Sequence, residues 1–230
     1  MPAPAATIHV RLRRFADLGL ASLQGALLPA DRQGLGSHGA QRMRTLLGRA
    51  LRRQTLAVAL GVQPADLVLT RTPLGKPVLA SHPLSFNCTH SRSAYALAWS
   101  RELASLGIDT EDESRTANML PIAADNFSAA ERAAWEQCGR SRLAWLTIWT
   151  RKEAALKCLG TGMRLPLERV ETGSPLAAQT LVHGPCGRLR LCSWQRQGQV
   201  LSLAYPADAH PATIVMDDGG HPQGAASVAM

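Results

Sequence analysis

The sequence predicts a mixed α/β fold, and three observations support this prediction. Two long segments repeat apolar residues at helical spacing, one from about Gln41 to Leu60 and one from about Arg142 to Leu159. Several shorter segments alternate in residue type with a period of two, as strands do. Both halves of the chain follow the same rough plan of a long helix and a set of strands, which indicates two similar halves.

The first long helix carries an apolar stripe on an otherwise basic surface. Four arginines crowd its other sides, and Gly61 supplies a stop signal. A basic helical face of this kind is usually solvated. The apolar positions of the stripe are Met43, Leu46, Leu47, Ala50, Leu51, Ala57 and Leu60.

Strands are predicted on both sides of a boundary near Ser100–Ser105. Those before and across this boundary are Asp66–Thr70, Leu84–Cys88, Ala94–Trp99 and Leu103–Glu111. Another helix is predicted to begin near Ser128, and a hairpin joins Arg188–Trp194 to Val200–Tyr205 through the turn Gln197–Gly198. We therefore expect an N-terminal half over residues 1–104, a C-terminal half over 105–207 and a loosely ordered tail over 208–230.

The composition favours an anionic partner. A formal charge of +8 and a pI of about 9.9 suit nucleic acid, an anionic cofactor and an acidic protein alike. No run of about eighteen apolar residues is present, and residues 1–10 have neither a basic leader nor an apolar signal core, so we expect a cytoplasmic protein without a membrane span. The cysteines are scattered, without a CxxC pair, and predict neither a disulfide framework nor a zinc site. They are Cys88, Cys138, Cys158, Cys186 and Cys192.

Two carboxylates are predicted to project from one face of the strand that contains Gly107–Glu111. Because side chains at i and i+2 of a strand point the same way, Asp109 and Glu111 lie side by side. A hard divalent cation relieves the repulsion between two such charges, so the pair is a candidate metal site. A solvated edge strand that carries two acids is the alternative.

Two roles fit Glu131. Ser128 followed by Glu131 three residues later forms a capping box, which satisfies two amides at a helix start. The same carboxylate is also a candidate third acid of a magnesium site, since Mg²⁺ takes a few carboxylates together with waters and phosphate oxygens.

The segment Trp149–Lys157 places three functional groups on one helix face. Trp149, Glu153 and Lys157 are spaced by four residues. The simpler interpretation is a surface ion pair between Glu153 and Lys157, which contributes only about 0.2–0.5 kcal/mol. The functional interpretation is a carboxylate base and an ammonium group beside an aromatic side chain.

Basic and turn residues add anion-binding groups. The turn Gly75–Pro77 can bring backbone groups and the Lys76 ammonium close to an anion, and Arg44 lies near the start of the first long helix. The segment Asn87–Ser91 offers hydroxyls and an imidazole. Each of these residues alone is equally compatible with simple exposure.

The order of these segments resembles that of the Sfp-type 4'-phosphopantetheinyl transferases, over roughly residues 29–205. That family has a Gly-Lys-Pro turn, a Phe-Asn-x-(Ser/Thr)-His-Ser segment, Gly-(Val/Ile)-Asp-x-Glu, Phe-x-x-x-Glu, a Trp-x-x-Lys-Glu-Ala-x-x-Lys helix and a Gly-x-Gly turn. The tryptophan and the Lys-Glu-Ala form are similar to the broad-acceptance Sfp branch. The matching segments are Gly75–Pro77, Phe86–Ser91, Gly107–Glu111, Phe127–Glu131, Trp149–Lys157 and Gly160–Gly162.

The resemblance implies a fold of two similar halves, each a small sheet packed on a long helix, with coenzyme A in the cleft between them. It implies magnesium ligands at Asp109, Glu111 and Glu131. The coenzyme A contacts that it implies are Arg44 and His90 at the 3'-phosphate, Gly75, Lys76 and Pro77 beside the adenine, and Lys76, Thr89 and Lys157 at the diphosphate. Two basic residues that the family often has upstream of Arg44 are not matched, since only Arg32 is present there.

The implied activity is the magnesium-dependent transfer of 4'-phosphopantetheine from coenzyme A to a serine of an acidic carrier protein, by a monomer, with release of 3',5'-ADP. Glu153 is the implied base, while Lys157 and the metal at Asp109 stabilise the charge that builds up on the leaving 3',5'-ADP. A catalytically degenerate coenzyme A-binding protein is one alternative, and the complete set of acids and bases disfavours it. A basic nucleic-acid-binding protein is the other, and it predicts aromatic residues among the basic ones, which Arg42–Arg53 lacks.

Overall fold

A computed structural model describes residues 6–35, 39–184, 187–208 and 212–217 of the chain. The helices within these ranges are α1 (Leu20–Leu23), α2 (Gly39–Leu60), α3 (Met119–Asn126), α4 (Ala129–Gln137) and α5 (Arg142–Leu159). The strands are β1 (Thr7–Arg14), β2 (Leu69–Arg71), β3 (Pro77–Leu79), β4 (Ser85–His90), β5 (Ala94–Ser100), β6 (Gly107–Asp112), β7 (Gln179–Gly184), β8 (Gly187–Arg196), β9 (Gln199–Pro206) and β10 (Thr213–Asp217).

The strands form two four-stranded sheets and one short hairpin. The first sheet has the order β10-β1-β5-β4, in which only the β1–β10 pair is parallel. The second sheet has the order β6-β9-β8-β7 and is antiparallel throughout. Strands β2 and β3 pair separately and carry the Gly75–Pro77 turn between them. The predicted hairpin around Gln197–Gly198 is confirmed as β8–β9.

The two sheets share an apolar core, and a long helix covers the outer face of each. Strand β5 explains the arrangement, since its alternate side chains point to opposite faces. Ala94, Ala96 and Ala98 face the core between the sheets, whereas Tyr95 and Leu97 pack with α2. Helix α5 packs on the outer face of the second sheet. The predicted α/β class, with a small sheet on a long helix in each half, is therefore confirmed.

Local signals define the ends of the helices that carry the site. The Ser141 hydroxyl accepts the Ala144 amide at the start of α5, and Gly160 ends the helix in the left-handed conformation, with φ of 70°. A residue with a Cβ is disfavoured at such a position. The capping box of Ser128 and Glu131 is present at the start of α4, as predicted.

The prediction of a loose tail over 208–230 is wrong for Thr213–Asp217. These residues form strand β10, which pairs in parallel with β1, so the end of the chain returns to the first sheet. The Asp217 carboxylate anchors it by accepting hydrogen bonds from Arg11 and Arg13. Residues 209–211 and 218–230 lie outside the described ranges, and so does Cys186.

Some predicted boundaries are also corrected. Pro64–Asp66 is a short 3-10 turn, so the strand predicted over Asp66–Thr70 begins only at Leu69. The strand predicted over Leu103–Glu111 begins at Gly107. The division of the chain at residue 104 stays a prediction. Across the described ranges, no helix is long and apolar enough to cross a membrane.

Candidate active site

Strand β6 and helix α5 meet closely because residue 107 is a glycine. A Cβ at Gly107 would lie 2.0 Å from the Ala154 carbonyl oxygen and 2.4 Å from the Cys158 amide nitrogen. Only a residue without a side chain therefore permits this approach. Since Asp109 and Glu111 follow at i+2 and i+4, their side chains also leave β6 on the face toward α5, as the spacing predicted.

Asp109 is the centre of a hydrogen-bonded cluster that joins three elements. Its Oδ1 atom accepts from Lys157 Nζ of α5 at 2.5 Å and from the Thr89 hydroxyl of β4 at 2.8 Å. Lys157 Nζ also lies 3.0 Å from the Thr89 hydroxyl. Burial favours the neutral amine, but the carboxylates of Asp109 and Glu153 outweigh it and raise the pKa of Lys157. Three residues predicted for the site are thus brought together, with Lys157 held as a cation.

Glu111 lies beside Asp109 and pairs with a cation of its own. Burial is the main cause that raises the pKa of Glu111 to about 7, with a contribution from the charge of Asp109, while Arg115 opposes the shift. Arg115 forms an ion pair with Glu111 Oε1. The two neighbouring carboxylates are therefore each matched by a different cation, Asp109 by Lys157 and Glu111 by Arg115.

Glu153 is the third carboxylate of this region. It lies one helical turn before Lys157 on α5, as the four-residue spacing predicted. Burial is the first cause that raises the pKa of Glu153, and the negative charge of Asp109 adds to it. A carboxyl group with a raised pKa is a better proton acceptor than an ordinary surface glutamate.

Glu131 lies outside the hydrogen-bonded cluster of Asp109 and has other partners. Both of its carboxylate oxygens are occupied within the protein, and only 2% of the residue is exposed. Oε2 pairs with Lys152 Nζ at 2.6 Å and accepts the Ser128 amide at 2.9 Å. Oε1 accepts the Thr172 hydroxyl at 2.7 Å. The capping interpretation of Glu131 is confirmed, and its assignment as a metal ligand stays a prediction.

Lys152, in the Lys-Glu-Ala segment, has a structural role as the buried partner of Glu131. Its side chain is fully buried on a different side of α5 from Glu153 and Lys157, because an offset of one residue from Glu153 turns it about 100° around the helix. Besides Glu131, its ammonium donates to the carbonyl oxygens of Leu167 and Val170. Lys152 therefore ties α5 to α4 and to the segment that follows α5.

The Gly75–Pro77 turn lies against the C-terminal end of α5. Lys76 Nζ donates to the carbonyl oxygens of Lys157 at 2.7 Å and Leu106 at 3.2 Å, and burial lowers the pKa of Lys76. The turn opens onto a cavity of about 270 Å³ that also reaches Glu153 and Lys157. The predicted coenzyme A residues of this turn thus share a cavity with the predicted base.

Helix α2, which carries Arg44, and strand β4, which ends at His90, both contact Tyr95. Gly48, one helical turn after Arg44, leaves room for the Tyr95 ring, which would lie 2.7 Å from a Cβ there. Tyr95 is the cross-strand partner of His90 at the end of β4. The His90 ring also meets Phe15 edge-on, with 6.5 Å between centroids.

Three residues of the site region were missed as contributors. Arg115 reaches Glu111 through a turn, where the helical spacing rule gives no signal. Asp112 accepts hydrogen bonds from the amide of Arg92 and the side chain of Gln199, and so links the loop after His90 to the second sheet. Asn87 Oδ1 accepts the Ile108 amide at 3.0 Å and joins β4 to β6.

Within the described ranges, no three His, Cys, Asp or Glu side chains form a group that could hold a metal ion. The three predicted metal ligands each face a cation of the protein, Asp109 and Glu111 facing Lys157 and Arg115, and Glu131 facing Lys152. Mg²⁺ is commonly held by one or two carboxylates plus substrate phosphates rather than by an all-protein cage. The adjacent carboxylates of Asp109 and Glu111 fit that requirement.

Comparison with known proteins agrees with this geometry. A family profile described as "4'-phosphopantetheinyl transferase superfamily" matches residues 105–215. The chain is 31% identical over 201 residues to the L-aminoadipate-semialdehyde dehydrogenase-phosphopantetheinyl transferase of Eremothecium gossypii, a match that covers 80% of this chain and 72% of that protein. It is 31% identical to the 4'-phosphopantetheinyl transferase HetI of a Nostoc species, over 69% of this chain and 67% of HetI.

A third relative is the 4'-phosphopantetheinyl transferase AcpT of Escherichia coli. It is 34% identical over 145 residues, which are 61% of this chain and 70% of AcpT. The matched region of the family profile contains Asp109, Glu111, Glu153 and Lys157. The chain therefore belongs to the 4'-phosphopantetheinyl transferase superfamily and is a transferase of the phosphopantetheinyl group.

Proposed function

We propose that this transferase moves 4'-phosphopantetheine from coenzyme A to a serine of a carrier protein in a magnesium-dependent reaction centred on Asp109, Glu153 and Lys157. The observation that carries the proposal is the contact of Lys157 with Asp109 and Thr89, beside Glu153 and at the edge of the Gly75–Pro77 cavity. This arrangement sets a base, a cation and an anion-binding turn around one space. The Sfp branch within the superfamily stays a prediction.

Asp109 and Glu111 are the residues that would hold Mg²⁺, together with phosphate oxygens of coenzyme A. When bound there, the ion would polarise the diphosphate and stabilise the charge of the leaving group. Glu153 is a further carboxylate of this region, and its pKa is raised first by burial and then by the charge of Asp109.

The residues of the chain support a single displacement at phosphorus. The carrier serine hydroxyl gives its proton to Glu153 and forms an O–P bond to the β-phosphate of coenzyme A. The P–O bond to 3',5'-ADP breaks, and Lys157 donates to the oxygen on which negative charge builds up. The raised pKa of Lys157 keeps its ammonium charged for this role. No cysteine is needed in this sequence of steps.

Three further residues support binding of the nucleotide end of coenzyme A. Arg44 and His90 lie on two elements that both contact Tyr95, and their basic side chains suit the 3'-phosphate. Lys76 is engaged with two carbonyl oxygens, so we assign it to shaping the turn beside the adenine and to the positive field at the diphosphate. Thr89 donates its one hydroxyl hydrogen to Asp109 in this structure and would turn it to a phosphate oxygen when coenzyme A binds.

The charge of the chain supports an acidic partner. A formal charge of +8 attracts both coenzyme A and an acidic carrier protein. We also propose a monomeric and cytoplasmic enzyme, since one chain contains all the residues that the chemistry uses.

Intact-mass spectrometry of an apo carrier protein tests the proposal directly. The carrier is incubated with the enzyme, coenzyme A and Mg²⁺, and again with a chelator. A mass gain of one phosphopantetheine that the chelator abolishes is the expected result. Coenzyme A binding without any mass gain across acyl, polyketide and peptidyl carriers would support the degenerate binder instead. A gain that survives the chelator would remove the magnesium from the proposal.

A further inference from the structure

Arg115 contacts the predicted metal pair although it belongs to none of the segments that resemble the family. Its amide donates to the Asp112 carbonyl oxygen at 2.8 Å, and this turn brings the side chain back to Glu111. The guanidinium pairs with Glu111 Oε1. The side chains of Arg115 and Glu111 are 29% and 21% exposed, so ions from solvent reach both groups.

The second contact of Arg115 is an aromatic shelf on α5. The shelf consists of the parallel rings of Trp145 and Trp149, with 5.6 Å between centroids and 5° between planes. The guanidinium carbon lies 5.8 Å from the Trp145 ring and 5.6 Å from the Trp149 ring. A cation over such faces gains about 0.5–1 kcal/mol at an exposed position. Arg115 therefore has a second favourable contact, with the two tryptophan rings, in addition to its ion pair with Glu111.

A metal ion at Glu111 would compete with this guanidinium. Oε1 of Glu111 is one of two oxygens that the carboxylate offers, and Arg115 occupies it. Two unit charges of like sign about 4 Å apart repel by roughly 1–4 kcal/mol in a partly exposed site. A divalent ion therefore binds at Glu111 only if Arg115 withdraws or if a further negative charge compensates.

We propose that Arg115 is a positioning residue that stands in for the divalent cation at Glu111. In the absence of metal it neutralises and orients the Glu111 carboxylate. When metal and coenzyme A bind together, Arg115 gives up Glu111 and rests on the Trp145–Trp149 shelf. The inference rests on the proposed magnesium site. It makes metal binding weak without coenzyme A, because the compensating negative charge comes from the diphosphate of bound coenzyme A. Linkage then requires the metal to strengthen coenzyme A binding by the same factor.

Calorimetric titration with MgCl₂ in the absence of coenzyme A tests this role. We expect Arg115→Gln to bind Mg²⁺ about three- to tenfold more tightly than the unaltered protein, because the competing charge is gone. Arg115→Lys keeps the charge and is expected to bind within about twofold of the unaltered protein. Arg140→Gln is the matched control. It removes the same charge from an exposed i,i+4 pair with Glu136 on α4, and its Mg²⁺ affinity is expected to be unchanged.

The outcomes separate this inference from the proposed function. If Arg115→Gln binds Mg²⁺ equally or more weakly while the unaltered protein binds Mg²⁺ in the presence of coenzyme A, then Arg115 is an ordinary orienting partner and only the inference fails. If the unaltered protein binds no Mg²⁺ even with saturating coenzyme A, the magnesium site itself is wrong and the inference falls with it. Thermal unfolding of each variant verifies that the affinities refer to folded protein.

Discussion

Lys157 and Asp109 form a 2.5 Å ion pair between helix α5 and strand β6, at the point where a glycine lets the two elements touch. The pair is partly exposed on the lysine side, where 28% of the side chain is accessible. The lysine is therefore placed to meet a substrate, while the Asp109 side chain is only 7% exposed and depends on its hydrogen bonds within the protein.

Replacing Lys157 by alanine should slow transfer far more than it weakens the fold. We expect the rate of carrier modification to fall about 10²- to 10³-fold, because a charge-stabilising donor is lost. The melting temperature should fall by a smaller relative amount, because Asp109 loses its cation but keeps the hydrogen bond from Thr89. Rates come from intact-mass time courses and stability from thermal unfolding. A large loss of stability with full activity per folded molecule would instead identify the pair as structural.

Replacing Glu131 by glutamine should destabilise the fold and leave the Mg²⁺ concentration that activity requires unchanged. The variant leaves Lys152 as a buried cation without its counter-charge, which typically costs about 3–5 kcal/mol of unfolding free energy. Denaturant unfolding measures this loss. Glu136→Gln, which breaks the exposed pair with Arg140, is the control and should cost less than about 1 kcal/mol. If Glu131→Gln is stable but needs much more Mg²⁺ for activity, Glu131 is a ligand after all.

Replacing Gly107 by alanine should separate β6 from α5. The added methyl group would meet two backbone atoms of α5, which cannot move aside as a flexible side chain does. We expect a loss of at least about 3 kcal/mol in unfolding free energy, measured in urea. Gly25→Ala is the control, since no heavy atom lies within 4 Å of its added Cβ, and it should stay within about 0.5 kcal/mol. Equal stability of both variants would contradict the close approach.

The buried cysteines should resist alkylation until high pH. Burial is the main cause that raises the pKa of Cys192 to about 11, and burial also raises the pKa of Cys158. Because the thiolate is the reactive form, its fraction stays small below the pKa. Peptide mapping after iodoacetamide treatment between pH 7 and pH 10 should therefore find Cys88 and Cys138, which are only partly buried, modified first. In urea all these thiols should react alike, and early labelling of Cys192 in the folded protein would contradict its burial.

Periodicity predicted the helices and strands whose signals lie within a short stretch of the sequence. Helix α5 has the predicted bounds Arg142–Leu159, because its apolar spacing and the Gly160 stop are both contained in a short segment. The common orientation of Asp109 and Glu111 follows in the same way from the two-residue repeat of a strand. Strand β1 was missed although Ile8, Val10 and Leu12 alternate with polar residues and all three are buried.

Strand β10 had no comparable local signal. It follows Pro211 in a segment rich in alanine, glycine and proline, and it is held by pairing with β1 and by the contacts of Asp217 with Arg11 and Arg13. These partners are about 200 residues away in the chain, beyond the reach of any window of sequence.

The sequence by itself determined the family, the α/β class and the charged groups of the site, because motif order, periodicity and composition are properties of the chain alone. Only the tertiary structure decided which carboxylate meets which cation. Asp109 pairs with Lys157 and Glu131 with Lys152, although both lysines belong to one nine-residue segment. The physical reason is that ion pairing depends on the distance between side chains from separate elements, and that distance is set by how β6, α4 and α5 pack.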